Sequence, residues 1–258
     1  MRSLIAAGVL LASGASFAAP SASLLDEVQQ RGTLKVCTTG DYKPYTFLRD
    51  DKQYEGIDIA LAESLAKSLG VTVQWVPTTW KTLMPDFLAQ CDMAVGGVSI
   101  SLERQKKAFF SDPIAVDGKI PFVRCDEVEK YQTIEQLNQP SVRLIEPPGG
   151  TNEAFVHREL PKAQLELFHD NTVIFKSVAD KKADVMITDS SEAQYQQRNY
   201  PTLCAVNPDK PLQYSEKAFL LPRGDVAFKA YVDQWLHLSK ATGEYQRIAD
   251  DWLAKPAE

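Results

Sequence analysis

The chain has 258 residues, 44% of them hydrophobic, and its 28 Lys and Arg against 34 Asp and Glu give a formal net charge of -6. That apolar content can bury a substantial core, which excludes global disorder, and the length suits one large domain or two modest ones. The acidic balance offers no broad basic surface for nucleic acid or anionic lipid, so an anionic ligand needs a locally positive pocket.

Arg2, an apolar run over residues 4–11 and small residues including Ser16 and Ala18 form a secretory signal, 1–18, expected to be cut after Ala18. No Cys follows the run to accept a lipid. Beyond residue 20 no uninterrupted apolar stretch approaches the roughly 20 residues that span a bilayer, so no membrane insertion of the mature chain is expected.

Ser23 caps a predicted helix running to Arg31, and Gly32 ends it before a strand at 34–38. A turn-rich loop follows at 40–44. After Gly56, Ile59, Leu61, Ala62, Leu65, Ala66 and Leu69 recur at helical spacing up to Gly70, and 71–76 reads as a second strand. A helix at 81–89 and a strand at 93–98 complete a βαβαβ unit, which favours a parallel sheet with right-handed crossovers.

The same grammar returns downstream. Strands are predicted at 142–145, 165–168 and 185–188, with helices starting at Thr151, over 173–179 and over 190–197. Two extended stretches, 119–125 and 217–222, are read as paired crossings between the units. The last helices, 227–242 and 245–253, are expected to return and cover the first unit. The fold class is therefore α/β, with two lobes joined by two crossover strands and a ligand cleft between them. Lobe 1 comprises 19–120 plus 219–258, and lobe 2 comprises 121–218.

Open parallel sheets bind ligands beyond the carboxyl ends of their strands. In the first unit those loops hold Asp41, Tyr42, Trp80, Ser99 and Arg104, which together supply aromatic walls, a hydroxyl and a cation able to grip a carboxylate through two parallel hydrogen bonds. Residues 101–107 read equally well as a solvated, charged helix start. In the second unit Gly149, Gly150, Thr151 and Asn152 lie between a strand and a helix, where free N–H groups attract an anion; a plain Gly-Gly turn with a Thr cap looks the same. Asp189 and Glu192 are three apart on one helix face, a spacing that also suits acidic residues stabilising a first turn.

Export places Cys37, Cys91, Cys125 and Cys204 in an oxidising compartment, although spacing does not set connectivity. Cys125 with Cys204 is favoured because both lie at the edges of one segment; Cys37, inside an apolar strand pattern, reads as a small buried residue. No CxxC pair occurs, and His157, His169 and His237 are too scattered for a zinc site. No Walker loop, GxSxG, HExxH or strand-following GxGxxG is present, so no metal and no cofactor is expected.

Seven stretches carry a family resemblance: 38–44 (TTGDYKP), 77–80 (PTTW) with Leu83 and Met84, 98–105 (VSISLERQ), 117–119 (DGK), 149–153 (GGTNE), 188–193 (TDSSEA) and 231–237 (YVDQWLH). Over nearly the whole mature chain the pattern resembles periplasmic solute-binding proteins of the polar amino-acid type, and within them the cyclohexadienyl dehydratases, which act on prephenate and arogenate. The resemblance implies a periplasmic enzyme in which Arg104 holds the substrate's side-chain carboxylate, Tyr42 and Trp80 flank the ring and Glu192 is the general acid. It places Ser99, Lys119, Gly150, Thr151, Asn152 and Asp189 around the substrate and suggests a homo-oligomer. The alternative it leaves open is a non-catalytic amino-acid-binding protein of an uptake transporter. One departure stands out: Pro147, followed by Pro148, occupies the place where the family often carries Asn.

Overall fold

The computed structural model describes residues 22–254, so the predicted export signal at 1–18 lies outside the described residues. Ser23 Oγ accepts from the Leu25 N–H at 3.2 Å and opens the helix Leu24–Arg31, which Gly32 closes in the left-handed region at φ 74°. The strand Thr33–Thr38 then becomes the second member of a five-stranded sheet. The sheet order is Thr72–Pro77, Thr33–Thr38, Met93–Ala94, Leu220–Pro222 and Ala108–Phe110. The first three strands run parallel, and Leu220–Pro222 is antiparallel to both its neighbours.

A second sheet orders Gln164–Leu167, Arg143–Glu146, Val185–Asp189, Ala115–Arg124 and Leu203–Ala205, with Gln213–Lys217 also paired to Ala115–Arg124. Its strands send alternate residues into cores on opposite faces. Phe122, Ile145 and Met186 enter one cluster, while Val123, Leu144, Val185 and Ile187 enter the other. Helices cover both faces, as expected of a sheet buried on both sides.

The terminal helices Val226–Ala241 and Glu244–Ala254 return to the first sheet as the sequence predicts. Phe228, Val232, Trp235, Leu236 and Trp252 share one buried cluster with Val36, Leu61 and Leu65. Among the described residues no helix is long and apolar enough to cross a membrane.

Four expectations need correction. The strand predicted at 93–98 stops at Ala94, because Gly96 and Gly97 take φ of 118° and 71° and bend the chain out of the sheet. The loop at 40–44 contains a two-residue strand, Asp41–Tyr42, paired with Thr46–Leu48. The crossings pair in a different register: Lys119 faces Gln213 and Ala115 faces Lys217, so the second sheet begins at Ala115, ahead of the boundary at 120, while Leu220–Pro222 belongs to the first sheet. Cys37 is no lone buried thiol, for it is bonded to Cys91 with Cα atoms 5.8 Å apart. Cys37 sits beside Ala94 in the parallel pair, so the chain entering that strand brings Cys91 within reach. Cys125 and Cys204 are also bonded, with Cα atoms 4.9 Å apart.

Candidate active site

The loops beyond the two sheets line a small shared cavity of about 20 Å³, tighter than the roughly 300–1,000 Å³ usual for ligand pockets. From the first half of the chain Tyr42, Trp80 and Ser99 line it; from the second, Gly150, Thr151, Asn152 and Asp189 do. The predicted Arg104, Lys119 and Glu192 are buried but are not wall residues.

Two glycines permit this closeness. At Gly97, φ 71°, an added Cβ would lie 2.6 Å from the Tyr42 ring, and at Gly149, φ 87°, it would lie 2.3 Å from Lys81 Cα. Tyr42 therefore packs flat against the turn that ends the short strand, and Trp80 meets its ring edge-on at a centroid distance of 5.4 Å. The contact at Gly149 brings a loop of the second sheet onto the Trp80 loop of the first, so the cleft is shut.

Asp189 forms the electrostatic centre. Its Oδ1 lies 2.8 Å from Lys119 Nζ, and its Oδ2 pairs with Lys217 Nζ and accepts from the Tyr42 hydroxyl at 2.5 Å. Burial alone would raise this carboxyl, but the two lysines hold it well below the ordinary carboxylate range. Lys119 also donates to Thr151 Oγ1 at 2.9 Å and Asn152 Oδ1 at 2.5 Å, while Asp189 Oδ1 has no hydrogen-bond partner beyond its ion-pair contact with Lys119. Burial draws the Lys119 ammonium below the usual lysine range, against the opposing pull of Asp189. Lys217 further donates to Ser99 Oγ at 3.0 Å.

Two ammonium groups thus share one carboxylate, which leaves positive charge over at Asp189, with buried Asp117 the next anion acting on Lys119. Arg104 adds to that positive charge. Its Nη1 donates to the main-chain oxygen of Ser99 at 2.8 Å, and although burial lowers its pKa to about 10 it stays charged at neutral pH. The helix Thr151–Glu159 starts at the cavity wall, where its first N–H groups lack intrahelical partners. All of these features favour an anionic ligand.

Glu192 lies on the helix Ser190–Asn199, fully buried. The Thr188 hydroxyl donates to its Oε2, while Oε1 has no hydrogen-bond partner in the protein. Burial pushes its pKa well above the usual carboxylic range, and Asp189 and Asp41 push the same way. A second buried carboxyl, Glu146, accepts from the Ile187 N–H at 2.6 Å and is likewise raised, first by burial. The arrangement can therefore keep a neutral carboxylic acid beside a cation-rich anion pocket.

Four wall or cluster residues were not predicted as ligand contacts, among them Gly97 in the turn beneath Tyr42. Lys217 was read only as the start of a crossing, although a lysine opening a run that is 0% exposed from Ala218 to Leu221 is a conspicuous charge in an apolar context. Asn171 follows the strand Gln164–Leu167, so the rule of searching beyond strand ends reaches it. Pro147, noted as a departure from the family pattern, lines the cavity itself.

The family model for bacterial extracellular solute-binding proteins, family 3, matches residues 34–255. A cyclohexadienyl dehydratase of Pseudomonas aeruginosa is 47% identical over 232 residues, covering 90% of this chain and 86% of that protein. An ancestral amino acid-binding protein, described as a precursor of cyclohexadienyl dehydratase, superposes with a TM-score of 0.82 at 37% identity over 89% of this chain and 99% of its own. An ancestral cyclohexadienyl dehydratase is 49% identical over 92% of this chain and 99% of its own, with a TM-score of 0.58.

Proposed function

The chain belongs to the bacterial extracellular solute-binding proteins, family 3, and from that membership we propose that it is a cyclohexadienyl dehydratase, a lyase that turns prephenate into phenylpyruvate and arogenate into phenylalanine in the periplasm. The observation that carries this reading is Glu192, a fully buried carboxyl with one oxygen unpartnered, three residues along a helix from the lysine-locked Asp189.

Dehydrating prephenate breaks two bonds. The ring carboxylate leaves as carbon dioxide, its electron pair completes the aromatic ring, and the ring hydroxyl departs. Aromatisation supplies the driving force; the protein must add a proton for the hydroxyl and a closed, shaped cavity. With Thr188 donating to Oε2, Glu192 carries its acidic proton on Oε1, the free oxygen. Transfer of that proton makes the leaving group water and leaves Glu192 as a carboxylate.

Prephenate carries two carboxylates, and the surplus of Arg104, Lys119 and Lys217 over Asp189 suits them. Lys119 and Lys217 act through their field and by bracing Asp189, Ser99, Thr151 and Asn152; Tyr42 and Trp80 supply ring walls.

The precursor's being an amino acid-binding protein favours a second reading, in which this chain only captures an amino acid. A ligand ammonium would then seek Asp189, whose oxygens both face lysines although Oδ1 has no hydrogen-bond partner in the protein. Incubation with prephenate, following phenylpyruvate by absorbance and carbon dioxide by release, separates the two. The dehydratase reading expects one carbon dioxide per phenylpyruvate. No product, together with tight binding of an ordinary amino acid, would support capture instead.

A further inference from the structure

Asn171 is 1% exposed and lines the cavity from the loop before the helix Ile174–Ala179. Its Nδ2 donates to the main-chain oxygen of Asp41 at 3.0 Å, across the cleft, and this bond orients the amide, since a flipped group would set two acceptors against each other. Oδ1 is buried and has no hydrogen-bond partner in the protein. A buried acceptor left unpaired is costly to the fold. It is therefore a position waiting for a donor from the ligand.

Resting on the dehydratase reading, the chemistry of the two substrates narrows that donor. Arogenate offers an ammonium, but the donor common to prephenate and arogenate is the ring hydroxyl. We propose that Asn171 Oδ1 accepts the hydrogen bond of that hydroxyl and turns its oxygen lone pair toward Glu192. The hydroxyl keeps its own proton, directed at Asn171, and receives a second from Glu192; the carbon–oxygen bond breaks with its electron pair going to oxygen, and water leaves. Pro147, in the same cavity wall, presents no side-chain polar atom. Asp41 links the two partners: its main-chain oxygen anchors Asn171, and its carboxyl lies close enough to Glu192 to raise it.

Steady-state kinetics with prephenate and inhibition by phenylpyruvate, which fills the same site but lacks the ring hydroxyl, test the proposal. Asn171→Ala should lower kcat about 100-fold, the scale of a lost orienting contact, while the phenylpyruvate inhibition constant stays within about twofold. Asn171→Gln keeps both the amide donor and an acceptor oxygen, and should be at least about tenfold faster than Asn171→Ala. Equal loss in both variants, or a fall in phenylpyruvate affinity matching the fall in kcat, would assign Asn171 to holding the cleft shut and overturn the proposal. So would an Asn171→Ala variant as fast as the parent. A parent that forms no phenylpyruvate fails the functional reading and the proposal with it; a parent that does, with either adverse pattern, fails the proposal alone.

Discussion

The hydroxyl of Tyr42 donates to Asp189 Oδ2 at 2.5 Å, joining the first sheet's loops to the end of a strand in the second. Lys217 completes this junction by contacting Asp189, Ser99 and Tyr42, three wall residues from both halves of the cleft. Lys217 therefore contributes both to closure of the cleft and to its charge balance.

Replacing it with a side chain of similar length removes both effects. Lys217→Met should lower kcat/KM for prephenate about 100-fold, mainly through KM, because a substrate dianion loses a desolvated cation and the wall loses its brace. Lys217→Arg should recover part of the loss. Kinetics that leave KM unchanged in Lys217→Met would contradict a role in anion binding.

Asp58 Oδ2 accepts from the N–H groups of Gly96 and Gly97 at 2.9 and 2.8 Å, holding the turn on which Tyr42 rests. Burial nevertheless raises its pKa to about 6 from the unfolded 3.8. A carboxyl raised on folding favours the protonated native state, so its contribution is intact at the unfolded pKa and is lost as pH rises toward about 6. The parent should lose on the order of 2 kcal/mol more stability between pH 4.5 and 7.5 than Asp58→Asn, measured by urea unfolding at each pH. Parallel pH slopes for the two proteins would refute this.

The disulfides close separations of 54 and 79 residues, Cys37 to Cys91 and Cys125 to Cys204. On chain-entropy grounds each should contribute roughly 4 kcal/mol by constraining the unfolded chain. The doubly substituted Cys125→Ala/Cys204→Ala protein should show a lower Tm, while the folded fraction keeps its turnover number, since neither cysteine lines the cavity. An unchanged Tm would contradict the expected gain.

Much of the fold was readable because hydrophobic period and turn residues agree: Ser23 and Gly32 bound the first helix, and Val185–Asp189 reads as an apolar run ending in an acidic turn. What escaped the reading depends on contacts distant in sequence. Cys37 looks like any buried strand residue until Cys91 arrives beside it, and the Ala115–Lys217 register follows from pairing between segments about a hundred residues apart. The cavity residues Tyr42, Trp80 and Ser99 were findable from strand-end loops and are in its wall. Lys217 and Asn171 carried a signal in the sequence, a charge in an apolar run and a strand-end position, but their roles come from the Asp189 and Asp41 they meet across the cleft.

The central claim is that Glu192 stays protonated in the closed cleft and gives its proton to the departing hydroxyl. Burial raises its pKa, so kcat should fall as pH rises through that raised value, when the acid is lost. The decisive measurement is the pH profile of kcat for prephenate in the parent and in Glu192→Gln, which keeps the shape but has no acidic proton. The variant should be slower by about 100-fold to 10,000-fold, and the alkaline fall assigned to Glu192 should disappear from its residual rate. A Glu192→Gln protein as fast as the parent, with the same alkaline fall, would contradict the claim.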